Sequence, residues 1–368
     1  MNIAIVGAGA AGLFLARKLS ELPAVNVSIF EKTKKIGTKI KASGGGKANI
    51  FNTVINSNCY NQNIQDSLLQ EITPSVISDE FSKMGLLMTE DEEHRVYPAT
   101  LFSETIVDIL TENISKATVF LEHPITEITP SGNKWRLNGC DTEFDKVVIA
   151  IGSPAAMIAR NRKGFSELID NLCLKYKNFE PSLVGFKIKN YPKELFGCRT
   201  RAIVTLLQNG KEIHKEKGEV VFKEDGISGI VILNCSAYYN RLKDKSNCIL
   251  SLNFLYNNPH YDAAAHLFRH GDLRGILHPK LNQLLLKQHF AIDDFRLEID
   301  KTYDLEFAQV CSGGVALSEI DNNFELKRHR GIHLLGEVLD VDGVCGGYNL
   351  FFAFASALKL YKFLADEN

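Results

Sequence analysis

Near the start of the chain, Gly7-Ala8-Gly9-Ala10-Ala11-Gly12 matches the pattern G-x-G-x-x-G. In this spacing the first glycine lets a strand turn sharply, the second lets backbone approach a pyrophosphate, and the third lets a helix pack closely on the strand. The helix start adds N–H groups without partners and the positive end of the helix dipole, both suited to phosphate. Alone the pattern is weak, so its context decides. The apolar run Asn2–Val6 leads into Gly7, a helical pattern continues through Leu22 to Pro23, and Val25, Val27 and Ile29 then alternate up to Glu31. That is a β-α-β unit ending in an acid, where a carboxylate accepts hydrogen bonds from both ribose hydroxyls and repels a 2′-phosphate. The expected ligand is FAD or NAD rather than NADP, held by Gly7, Ala8, Gly9, Ala10, Ala11, Gly12, Glu31 and the adjoining Lys32.

Two further glycine-rich segments help to choose between them. Lys39, Lys41 and the run Ser43-Gly44-Gly45-Gly46-Lys47-Ala48-Asn49 form a basic loop whose successive glycines expose backbone N–H groups and whose lysines add charge. Both suit a second contact on a pyrophosphate or a flavin ring, with Lys39 and Lys47 expected to touch the cofactor. Near the C-terminus, Ile332–Leu335 is a short apolar strand stopping at Gly336-Glu337, followed by Asp340, Asp342 and Gly346-Gly347-Tyr348-Asn349-Leu350. An acid at a strand end suits a ribityl hydroxyl chain. A helix opening at the glycine pair would turn its amides to the flavin N1–C2=O edge and stabilise the charge gained on reduction. Asp145–Ile151 reads as another buried strand, with Ala150 and Gly152 at its end.

These segments need a scaffold, and composition supplies its outline. With 368 residues, 45% hydrophobic and 23% charged, the chain is globular, and its length suits two or three domains rather than a disordered segment. Its net charge of −2 argues against a nucleic-acid binder held by bulk charge. None of the eight cysteines forms a C-x-x-C pair, which excludes zinc-finger spacing and a dithiol relay beside the cofactor. Leu350–Ala365 is too short to span a bilayer and carries Lys359 and Lys362, and no basic region precedes the apolar start. A cytoplasmic protein with no membrane partner is expected.

Between the two ends the texture changes. From about Pro181 to Phe254, short alternating segments (LVGFKI, AIVTLLQ, GEVVFK, GIVIL, CILSLNF) are separated by turns such as Asn209-Gly210 and Asp225-Gly226, which predicts antiparallel β-structure. From about Asp262 to Phe290 the pattern is helical. The fold class expected is α/β, with a Rossmann-like domain over 1–180 and 308–368, a β-rich insert over 181–257 and a helical part over 258–307.

The segments SGGGKAN, FKEDGISGIVIL, CSGGVALSEID and GEVLDVDGVCGGYNL, in this order along the chain, closely resemble the signature blocks of the BaiN/YhiN-like family of NAD(P)/FAD-dependent oxidoreductases, the aminoacetone oxidase-like flavoproteins. The resemblance implies a two-dinucleotide-type FAD fold with an inserted β-barrel and helical part. It implies FAD contacts at Gly7–Gly12, Glu31, Ser43–Asn49 and Gly336–Leu350, and a backbone contact from Ile125 to the adenine. The chain departs from the family pattern at Lys47-Ala48, where Arg-Cys is usual, at Ile151-Gly152-Ser153, where Thr-Gly-Gly is usual, and at Cys345, where Thr is usual.

The expected activity is an FAD-dependent oxidoreductase exchanging a hydride between flavin N5 and a small organic substrate, with NAD(P)H as transient donor or oxygen as reoxidant. Two alternatives stand beside it: an FAD-binding protein that modifies RNA, and a non-catalytic flavin binder. Lys47 and Tyr348 are the polar candidates for proton chemistry, and Arg95-Val96-Tyr97-Pro98 for a substrate pocket. Cys345, just before a helix start, is a packing residue or a reactive thiol. Asp262, His266 and His270 share a helical spacing, but His270 before Gly271 reads better as a helix end, so no metal is expected. No G-x-S-x-G elbow is present, which argues against a serine hydrolase.

Glu31→Ala should weaken FAD retention by removing charge-assisted hydrogen bonds worth about 1.5–3 kcal/mol each. The flavin-to-protein ratio after purification measures this, and full occupancy in the variant would remove the ribose role.

Overall fold

Asn2–Val6 (β1) carries no charge, as befits a strand covered on both faces, and Ile3, Ala4, Ile5 and Val6 are all buried. In the computed structural model, which describes residues 1–61, 64, 66–112, 114, 116–156, 165–255 and 277–367, β1 is the centre of a parallel sheet. Its partners are Asn26–Phe30 (β2), Thr118–Phe120 (β3), Lys146–Ile149 (β4) and Ile332–Leu334 (β5), in the order β5-β4-β1-β2-β3. Val6 lies opposite both Phe30 and Ile149, so β1, β2 and β4 end at one level.

Three helices matter for that edge: Ala10–Leu19 (α1), Thr38–Ala42 (α2) and Tyr348–Asp366 (α3). α3 is apolar nearly all round, and a helix with that pattern belongs in a core. Phe351, Phe352, Phe354, Leu358 and Leu360 are buried, and Phe354 meets Phe14 of α1 and Phe81 at ring separations of 5.3 and 5.0 Å. Among the described residues no helix is long and apolar enough to cross a membrane.

The chain divides into two compact units. One is carried by Met1–Pro154, the stretch up to Phe179 and Gly313–Asn368, the other chiefly by Glu180–Ser312. The second unit is built on a closed barrel of six strands: Phe186–Ile188, Gly226–Ser228, Lys211–Phe222, Arg199–Gln208, Cys248–Asn253 and Phe295–Thr302. Its long hairpin turns at Asn209 and Gly210, with φ +49° and +78°, the left-handed pair that a tight two-residue turn requires.

Two sequence expectations fail in this unit. GIVIL, expected as a strand, belongs to the helix Ile230–Arg241. A short apolar run does not distinguish strand from buried helix by period, and tertiary packing decides here. Gly229, at φ +114°, turns the chain where a Cβ would lie 2.2 Å from the Glu219 carbonyl, and Gly218 makes room for Val231. The range 258–307, expected to be helical, contains the helix Pro279–Gln288 and then the barrel strand Phe295–Thr302. In that strand Phe295, Leu297 and Ile299 face inward and Arg296 and Glu298 outward, the two-residue period of a barrel wall. Asp262, His266 and His270 lie outside the described residues.

His333, in β5, is fully buried, with Nδ1 3.3 Å from the Asn323 carbonyl and the ring against Phe363. Burial pushes its pKa down to about 4, with Glu325 partly opposing. In the unfolded chain the group titrates near about 6.5, so as pH falls from there through 4 the unfolded state takes up a proton that the native state refuses. Stability should drop by about 3 kcal/mol across that window. Urea titrations at several pH values test this, and His333→Phe should flatten the decline; parallel profiles for both proteins would contradict it.

Candidate cofactor site

Ligands of parallel α/β sheets bind beyond the carboxyl ends of the strands, and the glycines of this chain gather there. Gly7, at φ +108°, follows β1 and donates its N–H to the Phe30 carbonyl at 2.8 Å. A Cβ on Gly7 would lie 2.4 Å from the Ala150 carbonyl oxygen at the end of β4, and one on Gly12 would lie 2.0 Å from the Gly7 oxygen. Both positions therefore bring backbone against backbone. Gly9 differs, because a Cβ there would meet nothing within 4 Å. The first bond of α1 runs from the Leu13 N–H to the Gly9 carbonyl, leaving Ala10, Ala11 and Gly12 without intrahelical acceptors.

The Glu31 carboxylate is fixed beside this turn. Oε2 accepts from the Ala8 N–H, and Oε1 from the Thr33 N–H and hydroxyl, each at 2.9 Å. The Glu31 backbone is tied to the segment after β3 through the Phe120 carbonyl and the His123 N–H. That segment leads to Ile125, which is buried, while Lys32 on the other side is exposed. The N–H groups of Thr126 and Glu127 are taken by Asn138 Oδ1 at 2.8 and 2.9 Å, whereas the backbone polar groups of Ile125 have no hydrogen-bond partner among the described residues.

The second glycine-rich loop joins the first through the Gly37 N–H, which donates to the Ala8 carbonyl at 2.9 Å just before α2. Gly44, Gly45 and Gly46 are all left-handed, with φ +56°, +65° and +87°. A Cβ on Gly45 or Gly46 would meet nothing within 4 Å. Ser103 braces the loop, with its N–H on the Gly46 carbonyl at 2.8 Å and its hydroxyl on the Lys41 carbonyl at 2.7 Å. Lys41 pairs with Glu104, whereas Lys47 is exposed and has no ion pair among the described residues.

The C-terminal segment closes the edge. After β5, Gly336 donates its N–H to Ser356 Oγ of α3 at 3.2 Å, and a Cβ on it would lie 3.4 Å from Ala11. Glu337 forms an ion pair of 2.6 Å with Lys39 of α2, beside Gly152 and Ser153. Gly347, at φ +96°, caps the start of α3, and a Cβ there would lie 2.6 Å from Asn49 Oδ1 and from the Phe51 carbonyl carbon. Asn349 brackets Gly343, accepting from its N–H at 2.8 Å and donating to its carbonyl at 3.0 Å.

The fold thus brings together the Gly7–Gly12 turn, Glu31, Lys39, the Ser43–Asn49 loop, Ala150, Gly152, Gly336, Glu337 and the residues from Gly346 to Leu350 along one sheet edge. It engages other candidates differently. The Tyr348 hydroxyl donates to the Val54 carbonyl at 3.2 Å, and its own carbonyl accepts from Tyr60, whose phenol burial pushes well above its usual range. Arg95 pairs with Asp91 and Glu93. The buried Asp340 pairs with Lys177 at 2.5 Å and accepts from the Asn61 side chain at 3.2 Å, while the Asp342 N–H donates to Asn61 Oδ1 at 3.1 Å, so this acidic segment is tied into the fold. Sequence reasoning missed Thr33, Ser103 and Ser153, single hydroxyl residues whose partners are set by packing. No cluster of three metal-ligating side chains occurs among the described residues.

An FAD molecule fits what is present. Gly9, Gly45 and Gly46 leave open space, and neither the buried Asn49 Oδ1 nor the Ile125 backbone has a hydrogen-bond partner among the described residues. The chain is 26% identical over 392 residues to a ribosomal RNA dihydrouridine synthase of Escherichia coli, covering 96% of this chain and 95% of the relative. It is also 26% identical over 408 residues to a 3-dehydro-bile acid delta(4,6)-reductase of Clostridium scindens, covering 100% of this chain and 99% of the relative. Among solved structures, the 3-ketosteroid delta1-dehydrogenase of Sterolibacterium denitrificans shares the fold at a TM-score of 0.51 and 12% identity, covering 100% of this chain and 99% of that one. Residues 1–360 match the model described as HI0933-like protein Rossmann domain, and the chain belongs to that family of FAD-binding flavoprotein oxidoreductases.

Proposed function

We propose that this protein is an FAD-dependent reductase that saturates a carbon–carbon double bond conjugated to a carbonyl group in a small molecule, with NAD(P)H as a transient electron donor. The supporting observation is the chemistry common to the two named relatives. One name specifies reduction at positions 4 and 6 of a 3-dehydro-bile acid, and the other conversion of uridine to dihydrouridine. In both, the double bond reduced is activated by a ring carbonyl. The net change is one hydride from NAD(P)H and one proton added across that bond.

In this reading Glu31 and the Ile125 backbone hold the adenosine end, and the Gly7–Gly12 turn with the start of α1 holds the pyrophosphate. The Ser43–Asn49 loop and the start of α3 receive the ring. Bound FAD supplies hydride transfer at N5 and gathers negative charge at its N1–C2=O edge as it is reduced. The first-turn amides of α3 and the dipole of its 19 residues oppose that charge. Gly347, pressed against Asn49 and Phe51, holds those amides in place. Because the Tyr348 hydroxyl is directed onto the Val54 carbonyl, Lys47 is the stronger of the two polar candidates, and its exposed ammonium suits negative charge growing on a substrate carbonyl oxygen.

The second reading places the double bond in a uracil of RNA, favoured by the relative named for ribosomal RNA and opposed by the net charge of −2. Anaerobic mixing of the yellow protein with NADH or NADPH should bleach the flavin. A panel of cyclic enones should then restore its colour in stoichiometric amount with formation of the saturated ketone. Restoration by ribosomal RNA alone, with dihydrouridine appearing, would transfer the assignment to the second reading. No bleaching by either nicotinamide would overturn the donor.

A further inference from the structure

Lys39 was expected from sequence as a direct contact to the cofactor, and the geometry gives it another task. An ammonium has three N–H donors. Lys39 Nζ lies 2.6 Å from Glu337 Oε2, 3.2 Å from the Ser153 carbonyl oxygen and 3.3 Å from Ser153 Oγ. Ser153 Oγ lies 3.2 Å from the same Glu337 oxygen and donates to it. All three donors of Lys39 are thereby spent inside a closed triangle. Glu337 Oε2 receives two bonds, whereas Oε1 receives none from the described residues.

The triangle ties together three points far apart in the chain: α2, the segment after β4 and the turn after β5. Its ion pair is 29% exposed at Lys39 and 23% at Glu337, and Gly152 (φ +70°) stands beside it with no side chain to cover it. A Cβ on Gly152 would lie 3.7 Å from Glu337 Oε2 and 3.8 Å from Lys39 Nζ. A solvated ion pair alone contributes little. Here a serine hydroxyl and a carbonyl fix the geometry of the pair, which is how a supporting shell orients a ligand-binding group.

We propose that Lys39 and Ser153 are positioning residues, which hold the Glu337 carboxylate so that Oε1 stays available to accept hydrogen bonds from the ribityl hydroxyls of bound FAD. The proposal rests on the reading of this edge as the FAD site. It gives Ser153 a role and moves Lys39 from direct contact with the pyrophosphate or flavin ring to the support of Glu337.

The test compares two ligands. ADP shares the adenosine and pyrophosphate of FAD but has no ribityl chain. With apoprotein prepared from the full-length holoprotein, Ser153→Ala should weaken FAD binding about tenfold and Lys39→Met about a hundredfold, as expected for lost hydrogen bonds to a charged group. ADP affinity and thermal stability of the apoprotein should stay as in wild type, and Ser153→Thr, which keeps the hydroxyl, should restore FAD affinity. The proposal is overturned if Ser153→Ala binds FAD like wild type, or if FAD and ADP affinities fall in equal proportion. A wild-type protein that binds ADP but not FAD would instead overturn the FAD reading itself.

Discussion

The site depends on how closely three backbone segments approach at the carboxyl edge of the parallel sheet. The ends of β1 and β4 and the first turn of α1 meet where a single methylene on Gly7 or Gly12 would fall 2.4 or 2.0 Å from a carbonyl oxygen. Real Cβ atoms do not come so close, so any side chain there must drive the helix off the sheet. The start of α1 would then no longer face the edge, and its dipole would be misdirected. Gly347 imposes the same constraint at the other end of the chain, where α3 begins against Asn49 and Phe51. The glycines of this edge therefore fall into two kinds. Gly7, Gly12 and Gly347 permit packing of protein on protein, while Gly9, Gly45 and Gly46 leave space open on the outer side, where a ligand can approach.

That edge is shared by the two ends of the sequence, and packing holds them together. β5 joins the sheet through β4, and α3 lies against α1 through the rings of Phe14 and Phe354. Buried aromatic pairs of this kind contribute both area and orientation. Gly336 completes the junction, with Ala11 of α1 and Ala353 of α3 both within 3.5 Å of where its Cβ would be. A chain cut between the insert and β5 would leave α1 with an uncovered apolar face and the sheet with one strand missing.

Much of this was legible in the sequence, and the exceptions have physical causes. β1, α1 and β2 were readable because hydrophobic period, glycine spacing and the terminal acid agree over a short span. The hairpin at Asn209-Gly210 was readable because its turn chemistry is local. The helix Ile230–Arg241 was not, since Ile230-Val231-Ile232-Leu233 favours a strand, and the features that accommodate a helix, the space Gly218 leaves for Val231 and the turn at Gly229 against the Glu219 carbonyl, depend on the folded chain. Phe295–Thr302 alternates clearly but follows a helical stretch, and the expectation of helix was carried one element too far. The pairing of Ser153, which stood out in the sequence only as a departure from the family pattern, was illegible for a different reason. A serine after a strand is an ordinary turn residue until Lys39 and Glu337 are brought to it from distant parts of the chain.

The charges at this edge bear on how a dinucleotide would be held there. Lys39 is paired with Glu337 and Lys41 with Glu104, so two of the lysines that make the loop look basic in sequence are already neutralised. The remaining attraction for a diphosphate would come from backbone, from the N–H groups at the start of α1 that have no acceptor among the described residues. Such dipoles are fixed by the fold, need no side chain to be ordered on binding, and are screened by salt less than an exposed lysine is. For the FAD proposed here, affinity along the diphosphate is then a property of the scaffold. Of the residues that depart from the family pattern, Lys47 lies in the loop proposed to receive the ring, and Ser153 lies 3.2 Å from the Glu337 carboxylate proposed to hold the ribityl chain.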